Sequence, residues 1–189
     1  MGSVFAKPAS SAPTIVASDV VVIQDIVQDS TALESNDLMT FDSFGNLFVN
    51  REVRLINGSG GVSYVDIDAG TATILVTGIP RADGIALHPS GALYVTSEPF
   101  DECRSTSNRV FRIDVTYDGN NIPISATKTS IDTSPTGLAP VEGIIILNDN
   151  NCRAPCAWGN AGDIFVAEDA PCFGGPSNPG RIIKLEPGA

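Results

Sequence analysis

Asp83-Gly84-Ile85-Ala86-Leu87-His88-Pro89-Ser90-Gly91-Ala92-Leu93-Tyr94-Val95 reads as an acid, a short apolar run, a Gly turn and a second apolar run. The same order occurs in Asp37-Leu38-Met39-Thr40-Phe41-Asp42-Ser43-Phe44-Gly45-Asn46-Leu47-Phe48-Val49, and the two copies align without a gap. A third copy opens at Glu142-Gly143-Ile144-Ile145-Ile146-Leu147 and, after an insertion, reaches Gly162-Asp163-Ile164-Phe165-Val166-Ala167. Short apolar runs bounded by Gly, Asn, Asp and Ser are strands joined by turns. Self-similarity at this period marks architectures in which each repeat is one supersecondary unit, as in propellers and solenoids. As blades around an axis, the copies would bring Asp37, Asp83 and Glu142 toward one place.

Working outward from the copies gives the remaining strands. Blade one, about 37–79, adds Val62–Asp68 and Thr73–Val76 to the inner hairpin Leu38–Phe41 and Asn46–Val49. Blade two, about 83–131, comprises Gly84–Leu87, Ala92–Thr96, Arg109–Val115 and Ile124–Thr129, with a turn at Asp118-Gly119-Asn120-Asn121. Blade three, about 142–186, has three strands, Gly143–Leu147, Asp163–Ala167 and Arg181–Leu185. Asp19–Gln28 is β-branched and apolar and reads as a strand that could close a three-stranded blade. Residues 1–18, rich in Ala, Ser and Pro, read as a flexible lead before a partial propeller domain over 19–189. The fold expected is all-β and propeller-type, with about three four-stranded blades, half of a six-bladed ring. Three blades fall short of the four to eight that close a ring. A homodimer would complete it; a fragment of a longer chain is the alternative.

Bulk composition restricts function. The chain has 189 residues, 42% of them hydrophobic, enough for a sizeable core. Its 18 Gly, 13 Pro and 17% charged residues suit a turn-rich β protein. A formal charge of −11 repels phosphate backbones, so nucleic acid is not expected as a partner. No apolar run approaches the ~20 residues that span a bilayer, so no membrane partner is expected either. The four cysteines, Cys103, Cys152, Cys156 and Cys172, suit disulfides in an extracellular or periplasmic protein, with reduced buried thiols as the alternative. Cys152 and Cys156 form a CxxxC, but a zinc site has little support beside a single histidine, His88.

Blade topology sorts the unusual residues by face. Asp37, Asp83 and Glu142 precede inner strands, and Glu52, Glu98, Glu168 and Asp169 follow second strands, so all should gather at one face. Carboxylates converging there without nearby Lys or Arg repel each other unless a cation such as Ca²⁺, which prefers oxygen ligands, offsets the charge. The competing reading makes each acid a local turn or strand cap. The same sorting pairs Cys103 with Cys172 and Cys152 with Cys156. His88 falls in an inner hairpin turn on the opposite face, away from the acids, which argues against a Ser-His-Asp or Cys-His hydrolase.

Asp83-Gly84-Ile85-Ala86 followed by Ser90-Gly91-Ala92-Leu93-Tyr94-Val95 resembles the six-bladed NHL-type and SMP-30/gluconolactonase-type propellers. Asn36-Asp37 ahead of Phe41-Asp42-Ser43 is similar to the Asn-Asp segment of the lactonase members, and Glu142-Gly143 to the Glu-Gly that opens a blade in that family. The resemblance covers roughly residues 36–186. It implies a central divalent cation, commonly Ca²⁺, held by Glu142, Asp83 and Asp37. Asp37 and Asp83 become the catalytic candidates, with Asn36, Glu98 and Glu168 facing the substrate. The implied activity is Ca²⁺-dependent hydrolysis of a small lactone or ester. Two departures stand out: half the usual blade number, and Asp37 where the family often has Asn. Enzymes and binding modules share such repeats. A non-catalytic exported module binding a protein or carbohydrate, or a truncated propeller without activity, is therefore the alternative expectation.

Overall fold

A computed structural model of the chain describes residues 27–29, 31–53, 60–98, 110–131, 141–148, 159–168 and 181–185. The side chains of Glu142, Glu168 and Arg181 are outside that description, as are all four cysteines and residues 1–26. The expected disulfides, the flexible lead and most of the Asp19–Gln28 strand therefore lie outside the described residues. Val27 and Gln28, its last two residues, lie in no strand.

Among the described residues eleven strands follow in chain order: β1 Met39–Phe41, β2 Leu47–Arg51, β3 Gly61–Asp66, β4 Thr71–Thr77, β5 Ala82–Leu87, β6 Leu93–Ser97, β7 Val110–Tyr117, β8 Pro123–Ile131, β9 Val141–Ile146, β10 Ile164–Glu168 and β11 Arg181–Leu185. They form three antiparallel sheets, each in simple sequence order: β1-β2-β3-β4, β5-β6-β7-β8 and β9-β10-β11. The described residues are thus all-β, with two four-stranded blades and one of three strands, in an open propeller-type arrangement. β8 runs two residues past the expected Thr129, to Ile131, paired along β7. Its sequence, PISATKTSI, is mostly exposed edge strand, so no apolar rhythm marks its end.

Alternation along the strands gives each blade two apolar faces. Phe48, Val62 and Tyr64 of the first blade pack against Ile85, Leu93, Val95, Phe111 and Ile113 of the second. From the opposite face of the second blade, Tyr94, Ala92 and Val110 pack against Val141, Ile146, Ile164 and Val166 of the third. Matched positions therefore point the same way in every blade. Phe48 and Tyr94 carry an aromatic side chain toward the following blade, and Phe165 holds the matching position in the third. Leu93, Val95, Ile164 and Val166 face the preceding blade, and Leu47 and Val49 hold the matching positions in the first. On the first blade this backward face, with Leu47, Val49 and Val65, is lined by Val27 and Leu33.

The inner hairpins turn alike. In the first, Asp42 N donates to Asn46 O at 3.0 Å and Gly45 N to Asp42 O at 3.2 Å. In the second, His88 N donates to Ala92 O and Gly91 N to His88 O, both at 2.8 Å. Gly45 and Gly91 sit at φ +89° and +88°, the left-handed region where a side chain is strained.

Several contacts tie the hairpin end of blade one to blade two, among them Asn46 Nδ2 donating to Asn121 O at 2.9 Å. Phe44 meets the Tyr117 ring edge-on, with centroids 5.4 Å apart. Burial pushes the Tyr117 hydroxyl up to about 12, with its hydrogen bond to the Asp42 carboxylate as the next cause. A tyrosine held neutral by the fold contributes stability below its unfolded value near 10, and that contribution is lost as pH rises toward 12. Urea unfolding across that window should show stability falling with pH, and Tyr117→Phe should flatten the slope. An unchanged slope in Tyr117→Phe would place the alkaline sensitivity elsewhere.

Candidate functional site

The register of each hairpin brings the residue that opens the inner strand beside the residues that end the second. Ala82 pairs with Ser97, so Asp83 and Glu98 belong to the same end of their blade. Val141 pairs with Glu168, which does the same for Glu142 and Glu168. In the first blade Asn50 N donates to Leu38 O at 3.1 Å, placing Asp37 beside Asn50 and Glu52.

Two of the three acids sit on β-bulges. Between the Ala82–Ser97 and Ile85–Val95 pairs, Asp83 and Gly84 oppose the single residue Thr96. Between the Val141–Glu168 and Gly143–Ala167 pairs, Glu142 has no opposite residue. An extra residue bends the strand and re-aims the side chain it carries, which is why bulges cluster beside functional sites. The hairpin turns at the other end have no comparable irregularity at Asp42 or His88.

Fully buried side chains hold these strand entrances in place. Asn50 Oδ1 accepts from Asp37 N at 3.1 Å and from Leu38 N at 2.7 Å. Asn50 Nδ2 donates to Ala82 O at 2.8 Å and also to Asp83 O. One amide therefore bonds the main chains of both Asp37 and Asp83, joining the acid positions of adjacent blades. Thr96, at the matching place in blade two, accepts from Gly84 N through Oγ1 at 2.7 Å. Asn50 went unnoticed in the sequence reading. The available signal was a polar residue ending an apolar strand, aligned with Thr96.

Arg81 corrects the expectation that this face lacks a cation. Its guanidinium lies 2.6 Å from Glu98 Oε2 and 3.2 Å from Glu52 Oε1, and all three side chains are largely buried. The two glutamates therefore share one positive charge between blades one and two, which removes the repulsion expected of them. Arg81 has φ +42°, and Ser35, its counterpart before blade one, has φ +47°. Each donates nothing at its carbonyl but accepts there: Glu98 N bonds Arg81 O at 3.1 Å, and Glu52 N bonds Ser35 O at 2.9 Å. The link into blade one thus copies the link between blades one and two.

The structure places the expected residues as follows. Asn36 and Asp37 are exposed and Asp83 is half-buried, with the Asp37 and Asp83 main chains joined through Asn50. Glu98 is engaged by Arg81. Glu142 and Glu168 are placed by their main chain alone, at the equivalent end of blade three. Among the described residues, no three His, Cys, Asp or Glu side chains form a ready metal-binding group.

A cleft of about 330 Å³ opens at the opposite, hairpin end, lined by Asp42, Phe44, Ser90, Asp114 and Tyr117 among others. Its buried acid, Asp42, is already occupied: Oδ1 accepts from Phe44 N and Asn46 N, and Oδ2 from Asn46 Nδ2. His88 also lies at this end, with Nδ1 accepting from Ser90 N at 3.0 Å and lying 2.7 Å from Ser90 Oγ. These bonds organise turns, so the acid end is the stronger candidate.

Removing the shared amide should separate the two acid positions. Asn50→Leu takes that partner from two N–H groups and two carbonyls in a partly buried contact, and should cost at least about 2 kcal/mol. Thr96→Val removes one such acceptor and should cost about 1 kcal/mol. Chemical denaturation of both variants checks the order, and equal losses would deny Asn50 its bridging role.

No family model matches the chain. It is 36% identical over 107 residues to Lactonase drp35 of Staphylococcus aureus strain USA300, an alignment covering 56% of this chain and 31% of that protein. The same identity and coverage hold for Lactonase drp35 of strain MRSA252. Against Lactonase drp35 of Staphylococcus epidermidis it is 34% identical over 130 residues, covering 68% of this chain and 38% of the relative. The chain thus spans about a third of the length of the lactonases it resembles.

Proposed function

We propose that this chain carries part of a lactonase-like hydrolase site, built where the inner strands begin. The observation that carries the reading is the coincidence of aligned acids with bulges: Asp83 and Glu142 occupy the same irregularity in successive blades. The similarity to Lactonase drp35 supports the reaction class.

The donor set suits a hard cation in kind, since it consists of carboxylates. Asp37 and Asp83 alone are too few. The side chain of Glu142, which shares Asp83's main-chain position, is the third donor this reading requires. Glu142, Asp83 and Asp37 would hold Ca²⁺ or another divalent ion. When bound, such an ion polarises an ester carbonyl and makes water more acidic.

The rest of the chemistry falls to the chain's own side chains. Asp83, half-buried on its bulge, or Asp37 beside it, takes a proton from the water that attacks the lactone carbonyl. The ring C–O bond then breaks, and the proton passes to the departing alkoxide, leaving a hydroxy acid. Asn36 is exposed next to Asp37 and can donate its amide to the substrate. Glu98 and Glu168 border the same end. The Arg81 contact to Glu98 leaves that glutamate less free to repel the carboxylate product.

Turnover of simple γ- and δ-lactones, followed by proton release, tests the proposal. Ring opening should require added Ca²⁺, stop with EDTA, and fall at least about a hundredfold in Asp83→Asn. Absence of turnover with Ca²⁺ present, or full activity in Asp83→Asn, would overturn it and favour the non-catalytic binding module.

A further inference from the structure

Arg81 occupies a position where the fold asks for a turn and not for a charge. Its φ of +42° lies in the left-handed region, which costs a long side chain free energy and persists only where the surroundings hold it. Ser35 makes the same turn ahead of blade one, at φ +47°, so the backbone there does not require arginine. The guanidinium is nonetheless largely buried, 2.6 Å from Glu98 Oε2 and 3.2 Å from Glu52 Oε1. Taking three ions out of water can cost more than their attraction returns, so stability is a weak reason for the arrangement.

Each glutamate is anchored beside one of the candidate acids. Glu52 N donates to Ser35 O at 2.9 Å, two residues before Asp37, and Glu98 N donates to Arg81 O at 3.1 Å, two residues before Asp83. The guanidinium therefore closes a series of contacts, Ser35–Glu52–Arg81–Glu98, between the two strand entrances. Asn50 joins the same entrances through their main chains. A single link leaves two segments free to swing about it, whereas two separate links fix both spacing and angle. A guanidinium suits the second link because its planar fork presents donors in fixed directions, where a lysine ammonium is a mobile point charge.

From this geometry we infer that Arg81 is a positioning residue, which sets how Asp37 and Asp83 stand to each other without itself touching ion or substrate. The inference rests on the reading of those acids as one oxygen-donor site. Charge and position predict opposite signs. A positive charge beside a cation site repels the cation, so charge alone would make Ca²⁺ bind more tightly once Arg81 is removed. Positioning makes it bind more weakly, even when the charge is kept.

Calorimetric Ca²⁺ titration and amide hydrogen exchange, both on the full chain, test this in Arg81→Lys and Arg81→Met. Arg81→Lys keeps a cation between the glutamates and so keeps the fold, which its unfolding midpoint checks. Its Ca²⁺ affinity should fall at least about tenfold. Arg81→Met, where charge alone predicts tighter binding, should also bind more weakly. Without any ion, the amides of Asp37 and Leu38 should lose protection in Arg81→Lys, while those of β7 keep theirs. A merely stabilising ion pair would instead lower the midpoint and leave the affinity unchanged. Native or tighter Ca²⁺ binding in Arg81→Lys overturns the inference, as does unchanged exchange at Asp37 and Leu38. If the native chain binds no Ca²⁺, the oxygen-donor reading fails, and exchange alone then decides for or against the positioning role.

Discussion

Each sheet of this chain is apolar on both faces, and such a sheet is stable only when covered on both sides. The rest of the architecture depends on that constraint. Burying Phe48 against Val95 and Tyr94 against Val166 forces the blades to stack as leaves rather than to lie as one continuous sheet. A fully buried branched or aromatic side chain contributes about 1.5–3 kcal/mol. Each blade contact buries several such side chains, so the blade-to-blade contacts dominate the stability.

Stacking also creates the candidate site. Strands packed face to face bring the same end of each hairpin into register, so the inner-strand entrances of adjacent blades meet. Their carbonyls and N–H groups then need partners within the contact. Asn50 provides four bonds there, and Arg81 neutralises the two glutamates that the same stacking brings together. The site scaffold is therefore a consequence of packing as well as of chemistry. The bulges at Asp83 and Glu142 interrupt ladders that are otherwise regular at that end.

Much of this was legible in the sequence because strand alternation and the Gly turns are local. The aligned copies gave the strands, the four-stranded blades and the end of each hairpin on which the acids lie. What escaped was non-local. Arg81 meets Glu52 and Glu98 only after the blades dock, so nothing near it in the chain announced an ion pair. Asn50 hid at the end of Leu47-Phe48-Val49, where apolar rhythm draws attention away from a single amide. The end of β8 escaped for a different reason: Thr, Ser and Lys on an exposed edge carry no periodic signal. The cysteine pairing, read from loop positions alone, falls on residues outside the described structure.

The central claim is that the acids opening the inner strands act together as one oxygen-donor site. Calorimetric titration with Ca²⁺ tests it most directly, without assuming a substrate. The account predicts a saturable binding event that weakens at least about tenfold in Asp83→Asn and in Glu142→Gln, with unfolding midpoints little changed. No heat beyond dilution, or equal affinity in both variants, would contradict it.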